Sequence, residues 1–261
     1  MTIQFYKYQG TGNDFILLDN RKNQYNELNT AQIKNLCDRH FGIGADGLML
    51  INQASTSDID FEMKYYNSDG RESTMCGNGG RCITLFAKDL HLINETAHFR
   101  AIDGIHEANI EQDSFIRLKM CDVSQLKIFE TFFQLNTGSP HYVHFNEDTM
   151  NVDMKKEGAL IRYSPLFKED GINVNFVKEI SENEIFVRTY ERGVEDETLS
   201  CGTGVTASAI AHKQSQNGHH HVFVKTLGGN LSVTFDALEN QFQNVWLSGE
   251  AKFVFTGTIE S

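Results

Sequence analysis

The sequence is poor in proline, tryptophan and long apolar runs. Its 261 residues include two prolines and one tryptophan, and no apolar run approaches the roughly 20 residues of a membrane-spanning helix. The N-terminal stretch Met-Thr-Ile-Gln-Phe-Tyr-Lys lacks the hydrophobic region of a signal peptide. We therefore expect a cytoplasmic protein without a membrane partner. No linker rich in proline or serine separates the two halves of the chain.

Positive charge is also scarce. The chain has 23 Lys and Arg against 35 Asp and Glu, a formal net charge of −12. Nucleic acids and anionic membranes are bound by basic patches, so we expect neither as a partner. A small anionic substrate stays compatible with this charge, because a few arginines and backbone N–H groups can reverse the field inside one pocket.

The cysteines are few, odd in number and scattered, which argues against a disulfide framework. The five are Cys37, Cys76, Cys82, Cys121 and Cys201. The spacing of Cys76 and Cys82 does not suit a zinc knuckle, so we expect no metal ion. We expect Cys37, Cys82 and Cys121 to be small buried apolar residues. The run from His219 to His221 is expected to be a solvated loop.

Two nucleotide-binding motifs are missing. Gly10-Thr-Gly12 lacks the Gly-x-Gly-x-x-Gly spacing of a dinucleotide fold, and no phosphate-binding loop of the P-loop type occurs. Periodicity predicts many short strands instead, with helices at 30–40, 79–90 and 205–211. The first of these helices could be capped by Thr30. The strands are predicted at 3–5, 15–18, 48–51, 61–66, 115–120, 131–135, 142–145, 185–190, 222–226, 231–235, 245–247 and 252–255.

One motif occurs twice, once in each half of the chain. Tyr66 is followed by a polar segment and then Cys76-Gly-Asn-Gly79, and Tyr190 is followed by a polar segment and then Cys201-Gly-Thr-Gly204. A small-residue helical segment follows each cysteine. The repeat predicts an α+β fold of two similar domains, each a curled mixed β-sheet or barrel around a central helix. It also suggests that two thiols face one substrate.

The chemistry of this motif follows from the helix that it precedes. A cysteine at a helix N-terminus lies at the positive end of the helix dipole, which can bring the thiol pKa toward neutrality. Glycines let a ligand approach the backbone, and the free N–H groups suit a carboxylate. Two such thiols could bracket an amino-acid α-carbon, one removing a proton and the other donating one. A dithiol redox or metal-binding protein is the alternative from another class.

Several motifs, in order along nearly the whole chain, resemble diaminopimelate epimerase. These are Gly12-Asn-Asp-Phe15, Gly42-Ile-Gly-Ala-Asp-Gly47, Asn67-Ser-Asp-Gly70 with Cys76-Gly-Asn-Gly79, Pro140-His141, Asn173-Val-Asn-Phe176, Glu191-Arg-Gly193 and Cys201-Gly-Thr-Gly204. The related proline and hydroxyproline racemases typically have Cys-Gly-His-Gly in the first motif. Asn78 in that place, together with Asn67, Asn173 and Glu191-Arg192, favours diaminopimelate, a diacid, as the substrate. They remain the alternative within the same class. The phenazine-biosynthesis isomerases lack the paired thiols.

The resemblance implies an isomerase that converts LL-2,6-diaminopimelate to the meso isomer without pyridoxal phosphate or any other cofactor, in lysine and peptidoglycan-precursor synthesis. Cys76 and Cys201 would be the acid/base thiols in the cleft between domains, and His141 and Glu191 would assist them. The implied substrate-binding residues are Asn13, Asn67, Gly77, Asn78, Asn173, Glu191, Arg192, Gly202 and Thr203. Of these, the paired residues 77–78 and 202–203 would hold the reacting carboxylate, and Arg192 would suit the distal one.

The resemblance also implies a domain division and an assembly. The C-terminal strand should return to the first domain, which gives residues 1–120 with 249–261 and residues 121–248. A homodimer is expected. Two departures from the family pattern stand out: Ser139 replaces the Asn found in many members, and the segment 193–200 is one residue longer than the commoner form.

Overall fold

Strands such as Thr2–Gly10 and Phe115–Lys119 alternate buried and more exposed residues, whereas Gly47–Gln53 is buried along most of its length. A computed structural model describes residues 2–112, 114–214 and 216–260. Contacts between Cα atoms divide the chain into two units, Met1–Leu118 with Gly249–Ser261, and Lys119–Ser248. No described helix is long and apolar enough to cross a membrane.

The elements of the first unit are mostly strands. They are β1 (Thr2–Gly10), β2 (Asn13–Asp19), α1 (Thr30–Cys37), β3 (Gly47–Gln53), β4 (Phe61–Asn67), β5 (Glu72–Ser73), α2 (Gly77–Asp89), β6 (Thr96–Ala101), β7 (Gly104–Gln112) and β8 (Phe115–Lys119).

The second unit contains further strands and two helices. They are β9 (Lys127–Ile128), β10 (Phe133–Asn136), β11 (Pro140–Phe145), a short 3-10 helix (Thr149–Asn151), α3 (Met154–Arg162), β12 (Asn173–Ser181), β13 (Glu184–Glu191), β14 (Asp196–Thr198), α4 (Gly202–Lys213), β15 (Gly218–Thr226), β16 (Gly229–Leu238) and β17 (Gln241–Glu250). The end of β17 and the last strand, β18 (Lys252–Glu260), belong to the first unit.

The first unit is a mixed sheet that packs against α2. Its strand order is β18-β1-β2-β3-β4-β6-β7-β8, with β5 also paired to β4. The pairs β2–β3 and β4–β6 are parallel, and the others are antiparallel. All residues of α2 from Gly77 to Ala87 are buried, so the sheet and its loops enclose this helix.

The second unit repeats the same path. Its strand order is β9-β10-β11-β12-β13-β15-β16, with β14 also paired to β13, and the parallel pairs are β11–β12 and β13–β15. The run β2-α1-β3-β4-β5-α2-β6-β7 therefore has its counterpart in β11-α3-β12-β13-β14-α4-β15-β16. This repeat confirms the predicted α+β class, two similar halves that each pack a mixed sheet around a central helix.

The helix boundaries differ from the prediction in the first unit. The helix α1 ends at Cys37 rather than at His40, because Asp38 is extended and its carboxylate accepts the N–H groups of His40 and Phe41. The N-cap is Asn29 rather than Thr30, and Asn29 forms a capping box with Gln32.

In the second unit one helix was not predicted and two expectations were wrong. The helix α3 was not predicted, since its sequence is polar and carries a central Gly158, which packs against Tyr190. The three residues from His219 to His221 lie in strand β15 rather than in a loop; the ring of His219, for example, contacts Asp236 at 2.8 Å. Cys121 is exposed, whereas Cys37 and Cys82 are buried as expected.

Candidate active site

The first repeated cysteine caps helix α2. Cys76 has extended backbone angles (φ −103°, ψ 149°), and its Sγ accepts the N–H of Gly79 at 3.2 Å. The side chain is partly exposed. The thiol therefore lies at the helix N-terminus, where backbone N–H groups and the positive end of the dipole favour negative charge, as the sequence predicts.

The second repeated cysteine caps helix α4 in the corresponding place. Cys201 is also extended (φ −111°, ψ 112°) and is only 8% exposed. Its Sγ lies 3.4 Å from the hydroxyl of Thr203, whose carbonyl accepts a hydrogen bond from Thr137 at 2.8 Å. Gly202 is buried in the first turn of the helix. Each unit thus presents one thiol at the start of its enclosed helix.

The surroundings of Cys201 raise its pKa rather than lower it. Burial is the main cause, and the carboxylate of Glu191 adds to it. That carboxylate accepts the hydroxyl of Thr198 at 2.5 Å. The expectation that a helix N-terminus brings the thiol pKa toward neutrality is therefore wrong for Cys201, because burial and a neighbouring anion outweigh the dipole.

The second glycine of each motif is required by packing. A Cβ on Gly79 would lie 2.5 Å from Met49 Cε, and a Cβ on Gly204 would lie 2.4 Å from Asn175 Oδ1. Both distances are shorter than van der Waals contact. These glycines let each helix start directly against its sheet. The sequence analysis instead explained them by the close approach of a ligand to the backbone.

Two predicted binding residues meet beside the start of α2. The amide of Asn78 donates to Asn13 Oδ1 at 3.3 Å, and Asn13 Nδ2 donates to Asp46 Oδ2 at 2.6 Å. Gly77 is the first residue of the helix. Asp46 has no role in the sequence argument, although it lies in the Gly42–Gly47 motif, which was the available signal.

The third predicted asparagine of the first unit lies at the end of β4. Asn67 is exposed, and its backbone forms a tight turn in which its carbonyl accepts the N–H of Gly70 at 2.9 Å. Its N–H donates to the carbonyl of Arg71 at 3.0 Å. The turn directs the chain back along β4 as β5, which leads to Cys76.

His141 is fully buried and is fixed as one neutral tautomer. Its Nδ1 lies 3.0 Å from Asn175 Nδ2, which also donates to the carbonyl of Tyr142 at 2.9 Å. The Asn175 Oδ1 accepts the hydroxyl of Thr189 at 2.9 Å. An amide NH2 group can only donate, so His141 Nδ1 accepts and its Nε2 carries the hydrogen.

The other ring nitrogen of His141, Nε2, is unpaired among the described residues. His141 Nε2 is buried and makes no hydrogen bond to any residue that the structure describes. Burial, aided by the charge of Arg192, lowers the pKa of His141 to about 3. The side chain is therefore a neutral N–H donor, and Asn175 connects it to the first turn of α4 through the close contact with Gly204.

The remaining predicted residues form a cluster around Asn173. Its Oδ1 accepts the backbone N–H of Arg192 at 2.8 Å, and its Nδ2 donates to Ser139 Oγ at 2.8 Å. The guanidinium of Arg192 is exposed and donates to the carbonyl of Asp170 at 2.8 Å. Ser139, the departure from the family pattern, is thus held by the asparagine that also holds the backbone of Arg192.

The segment after Arg192 is held in place by Glu195. Glu195 has a positive φ of 59°, and its carboxylate accepts the hydroxyls of Tyr163 and Tyr190 at 2.8 and 3.0 Å. It also accepts the N–H of Gly193 at 3.0 Å. The strand β14 that follows pairs with β13 in an antiparallel arrangement.

Within each unit, the structure brings most of the predicted residues to the start of the enclosed helix. In the first unit these are Cys76, Gly77, Asn78 and Asn13, and in the second they are Cys201, Gly202, Thr203, Glu191 and, through Asn175, His141. Sequence reasoning missed Asp46, Asn175 and Thr189. No group of three metal-ligating side chains occurs among the described residues.

The fold recurs in solved structures of low sequence identity. One is a phenazine biosynthesis protein of the PhzF family from Bacillus anthracis, with a TM-score of 0.77, 13% identity and full coverage of both chains. Another is a hydroxyproline epimerase from Agrobacterium vitis, with a TM-score of 0.72 and 13% identity over 99% of this chain and 92% of that one. The architecture is therefore that of the diaminopimelate epimerase-like fold.

Sequence similarity identifies the family. The diaminopimelate epimerase family model matches residues 5–125 and 133–254. A diaminopimelate epimerase from Flavobacterium psychrophilum is 52% identical over 98% of this chain and 100% of its own length. Another from Chlorobaculum tepidum is 38% identical over 96% of this chain and 98% of its own. The chain belongs to the diaminopimelate epimerase family and is an isomerase.

Proposed function

We propose that this protein interconverts LL-2,6-diaminopimelate and meso-diaminopimelate with two cysteines as acid and base. It would need no pyridoxal phosphate or other cofactor, and it would act in the cytoplasm on a step of lysine and peptidoglycan-precursor synthesis. Family membership supports the reaction and the substrate. The observation that carries the mechanism is the repeated placement of a cysteine as the N-cap of an enclosed helix, Cys76 on α2 and Cys201 on α4.

In the proposed reaction, the two proton transfers take place on opposite faces of the α-carbon. The thiolate of one cysteine removes the α-hydrogen from one face of the α-carbon, and the electrons of the broken C–H bond remain on that carbon. The thiol of the other cysteine donates its proton to the opposite face. The hydrogen is weakly acidic, so the reaction needs stabilisation of the charge that develops on the α-carbon and its carboxylate.

The N–H groups of the two helices would provide that stabilisation. The first turns of α2 and α4 begin with Gly77-Asn78 and Gly202-Thr203, and free N–H groups at helix starts bind carboxylates. The amide of Asn78 is engaged by Asn13, which supports a backbone rather than a side-chain role for Asn78.

His141 and Glu191 would assist the second thiol in different ways. The buried Nε2–H of His141 has no partner among the described residues, and a bound substrate group could accept it. Glu191 lies beside Cys201, where its charge favours the protonated thiol that must act as acid. Arg192 would bind the distal carboxylate, since an exposed guanidinium can pair with it in a bidentate manner. Asn67 and Asn173 would bind the remaining polar groups, with Asn67 offering an exposed side chain.

The reaction is tested in deuterated water with freshly reduced protein. We expect LL-diaminopimelate to epimerise and to gain deuterium at one α-carbon, as read by mass spectrometry and NMR. Cys76→Ala and Cys201→Ala should each abolish turnover. Wild-type turnover in either variant would exclude two-base catalysis by this pair. Proline, run in parallel, should remain unchanged; racemisation of proline would assign the protein to the racemases instead.

Oxidation tests whether both thiols reach one carbon. Mild oxidation should form a disulfide between Cys76 and Cys201, detected as a linked peptide, and a reductant should restore activity. Reversible oxidation without epimerisation of any substrate would support the dithiol redox alternative. Oxidation that never links these two residues would contradict the proposed mechanism.

We also propose that the protein is a homodimer. The strand β18 leaves three consecutive apolar residues exposed, Phe253 at 49%, Val254 at 51% and Phe255 at 45%. Exposed apolar clusters of this kind are typical of protein interfaces. Analytical ultracentrifugation should give twice the chain mass, and Val254→Lys should yield monomers. A monomeric wild-type protein at micromolar concentration would refute this proposal.

A further inference from the structure

A row of side-chain hydrogen bonds joins helix α2 to the residue that precedes strand β3. The guanidinium of Arg81 donates to Asn78 Oδ1 at 2.9 Å. Asn78 Nδ2 donates to Asn13 Oδ1 at 3.3 Å, and Asn13 Nδ2 donates to Asp46 Oδ2 at 2.6 Å. We call these four residues the Arg81–Asp46 network. Its two middle members are the asparagines that are predicted to bind substrate.

The two ends of this network allow only one direction of hydrogen bonding. A guanidinium can only donate, so the atom of Asn78 that contacts Arg81 must be the side-chain oxygen. A carboxylate can only accept, so the atom of Asn13 that contacts Asp46 must be the side-chain nitrogen. The middle contact then joins the nitrogen of Asn78 to the oxygen of Asn13. Neither amide can rotate by half a turn without placing two donors or two acceptors together.

The buried end of the network has a second donor. Arg81 is fully buried, and Asn78 is 3% exposed. The buried hydroxyl of Thr11 accepts from Arg81 at 3.1 Å and donates to Asn78 Oδ1 at 3.3 Å. Buried polar groups that lose a partner have little water to replace it. Both donors therefore favour the same orientation of the Asn78 amide.

At the other end, Asp46 accepts hydrogen bonds with both carboxylate oxygens. Its Oδ2 accepts the side chain of Asn13 and also the backbone N–H of Asp14 at 3.2 Å. Its Oδ1 accepts Arg39 Nη2 at 2.8 Å. An asparagine at position 46 would turn an NH2 group toward a donor in either of its orientations. The network therefore requires the carboxylate, and not only the shape of the side chain.

We infer that Asp46 is a positioning residue for substrate binding. With Arg81 at the other end, it fixes the amides of the two asparagines in one orientation before substrate arrives. The inference rests on the proposed function, in which Asn13 binds a polar group of diaminopimelate. Asn13 is partly exposed, and beyond its two hydrogen bonds it has one further hydrogen on Nδ2 and one further lone pair on Oδ1. Because Asp46 fixes the direction of both, binding does not have to order this side chain.

The kinetics of epimerisation distinguish this role from a purely structural one. Asn13 is not among the residues proposed to hold the reacting carboxylate, so its contact should be equally strong before and during the reaction. Asp46→Asn and Asp46→Ala should therefore each raise KM about tenfold, the effect of about one hydrogen bond, and change kcat by less than about threefold. Asp46→Glu, which keeps a carboxylate, should recover part of the loss. A role in packing alone would tolerate Asp46→Asn, because the two side chains have nearly the same shape.

Arg39→Met is the matched control. It removes the other side-chain partner of Asp46 and leaves the carboxylate able to accept from Asn13. Arg39 also donates to Asp14 at 2.6 Å, so the variant should unfold at a lower urea concentration. Its KM should stay within about twofold of wild type, because exposed ion pairs contribute little. A rise in KM equal to that of Asp46→Asn would assign the effect to the ion pair and overturn the inference.

NMR of the free protein tests the orientation of the amides without any turnover. In wild-type protein labelled with nitrogen-15 in asparagine, Asn13 and Asn78 should each give one sharp pair of NH2 signals, assigned from the Asn13→Ala and Asn78→Ala spectra. In Asp46→Asn both pairs should broaden or double, including that of Asn78, which is joined to position 46 through Asn13. Arg39→Met should leave both pairs single.

Two results would overturn the inference. One is a folded Asp46→Asn protein with the KM and the amide signals of wild type. The other is a second orientation of either amide in wild-type protein, a result that needs no variant to fold. A wild-type protein that fails to epimerise diaminopimelate would refute the proposed function instead, and the spectra would still decide whether the network fixes the two amides.

Discussion

Replacement of Asn175 by aspartate should reverse the tautomer of His141. The buried amide now donates to His141 Nδ1 at 3.0 Å and to the carbonyl of Tyr142 at 2.9 Å. A carboxylate has no hydrogen to donate, so it can form a hydrogen bond to the ring only if Nδ1 carries the proton. In Asn175→Asp, His141 should therefore become an Nδ1–H tautomer or an imidazolium, and its Nε2 should lose its role as a fixed neutral donor.

The size of this effect follows from the present environment. The pKa of His141 is lowered to about 3 mainly by burial, against an ordinary value of about 6.5. A carboxylate in contact with the ring raises a histidine pKa by about 1–3 units, so we expect the pKa of His141 to lie at about 4 to 6 in this variant. The carbonyl of Tyr142 also loses its donor, and an unsatisfied buried acceptor costs about 1–3 kcal/mol of unfolding free energy.

The assay is NMR of protein labelled with nitrogen-15 in histidine, with the His141→Gln spectrum assigning the signals. Wild-type protein should show Nε2–H for His141 from about pH 5 to pH 8. Thr189→Val is the matched control, because it removes only the hydroxyl that donates to Asn175 Oδ1 at 2.9 Å. It should lower stability in urea by about 1–3 kcal/mol and leave the tautomer unchanged. An unchanged His141 tautomer in Asn175→Asp would refute the reasoning.

Two further substitutions test charged groups, one in each unit. Glu191→Gln removes the anion that helps to raise the pKa of Cys201, so the thiol should ionise at lower pH and the alkaline limb of the kcat profile should move down by about one unit; an unmoved limb would contradict this. Lys7→Met should destabilise the protein at pH 7. Burial would raise the pKa of Asp14, but hydrogen bonds from Arg39 and Lys7 outweigh it and hold the pKa well below its usual range. This stabilisation is present above the pKa of Asp14 in the unfolded chain, about 3.9, and is lost as the pH falls through the pKa of Asp14 in the folded protein. The difference in unfolding free energy between variant and wild type, measured in urea, should therefore shrink in acid. A difference in unfolding free energy that is constant with pH would contradict this explanation. The exposed ion pair of Lys155 should contribute little to stability by comparison.

Local sequence patterns were sufficient for the cysteine sites. The cysteine, its glycines and the small residues after them are contiguous, and helix capping acts within a few residues. Both thiols therefore lie at helix N-termini, as the sequence predicts, although the helices Gly77–Asp89 and Gly202–Lys213 begin two and three residues earlier than predicted. The fold class could be predicted for the same reason, because local patterns of apolar and polar residues indicate many of the strands.

The polar network around His141 could not be predicted in this way. Strand β11 pairs with β12 so that His141 lies opposite Asn173, and β12 pairs with β13 so that Asn175 lies opposite Thr189. Register between strands far apart in sequence decides these contacts, and a shift of one residue would turn each side chain to the other face. The pKa of Cys201 was missed for a related reason, because burial is a property of the folded unit.

The two units repeat one order of strands and helices, but the residues beside their repeated cysteines differ in charge. The repeated motif therefore has parts that both copies share and parts in which the copies differ. The second glycine is present in both copies because each helix must start within van der Waals contact of its sheet, at Met49 in one unit and at Asn175 in the other. Two equivalent thiols can share a single proton, so a repeated fold does not need different surroundings to hold one acid and one base. The charge difference instead acts on Cys201: β4 ends in the neutral Asn67, whereas β13 ends in Glu191, whose charge adds to the burial that raises the pKa of Cys201. In the proposed reaction, Glu191 would therefore favour the state in which Cys201 is the acid.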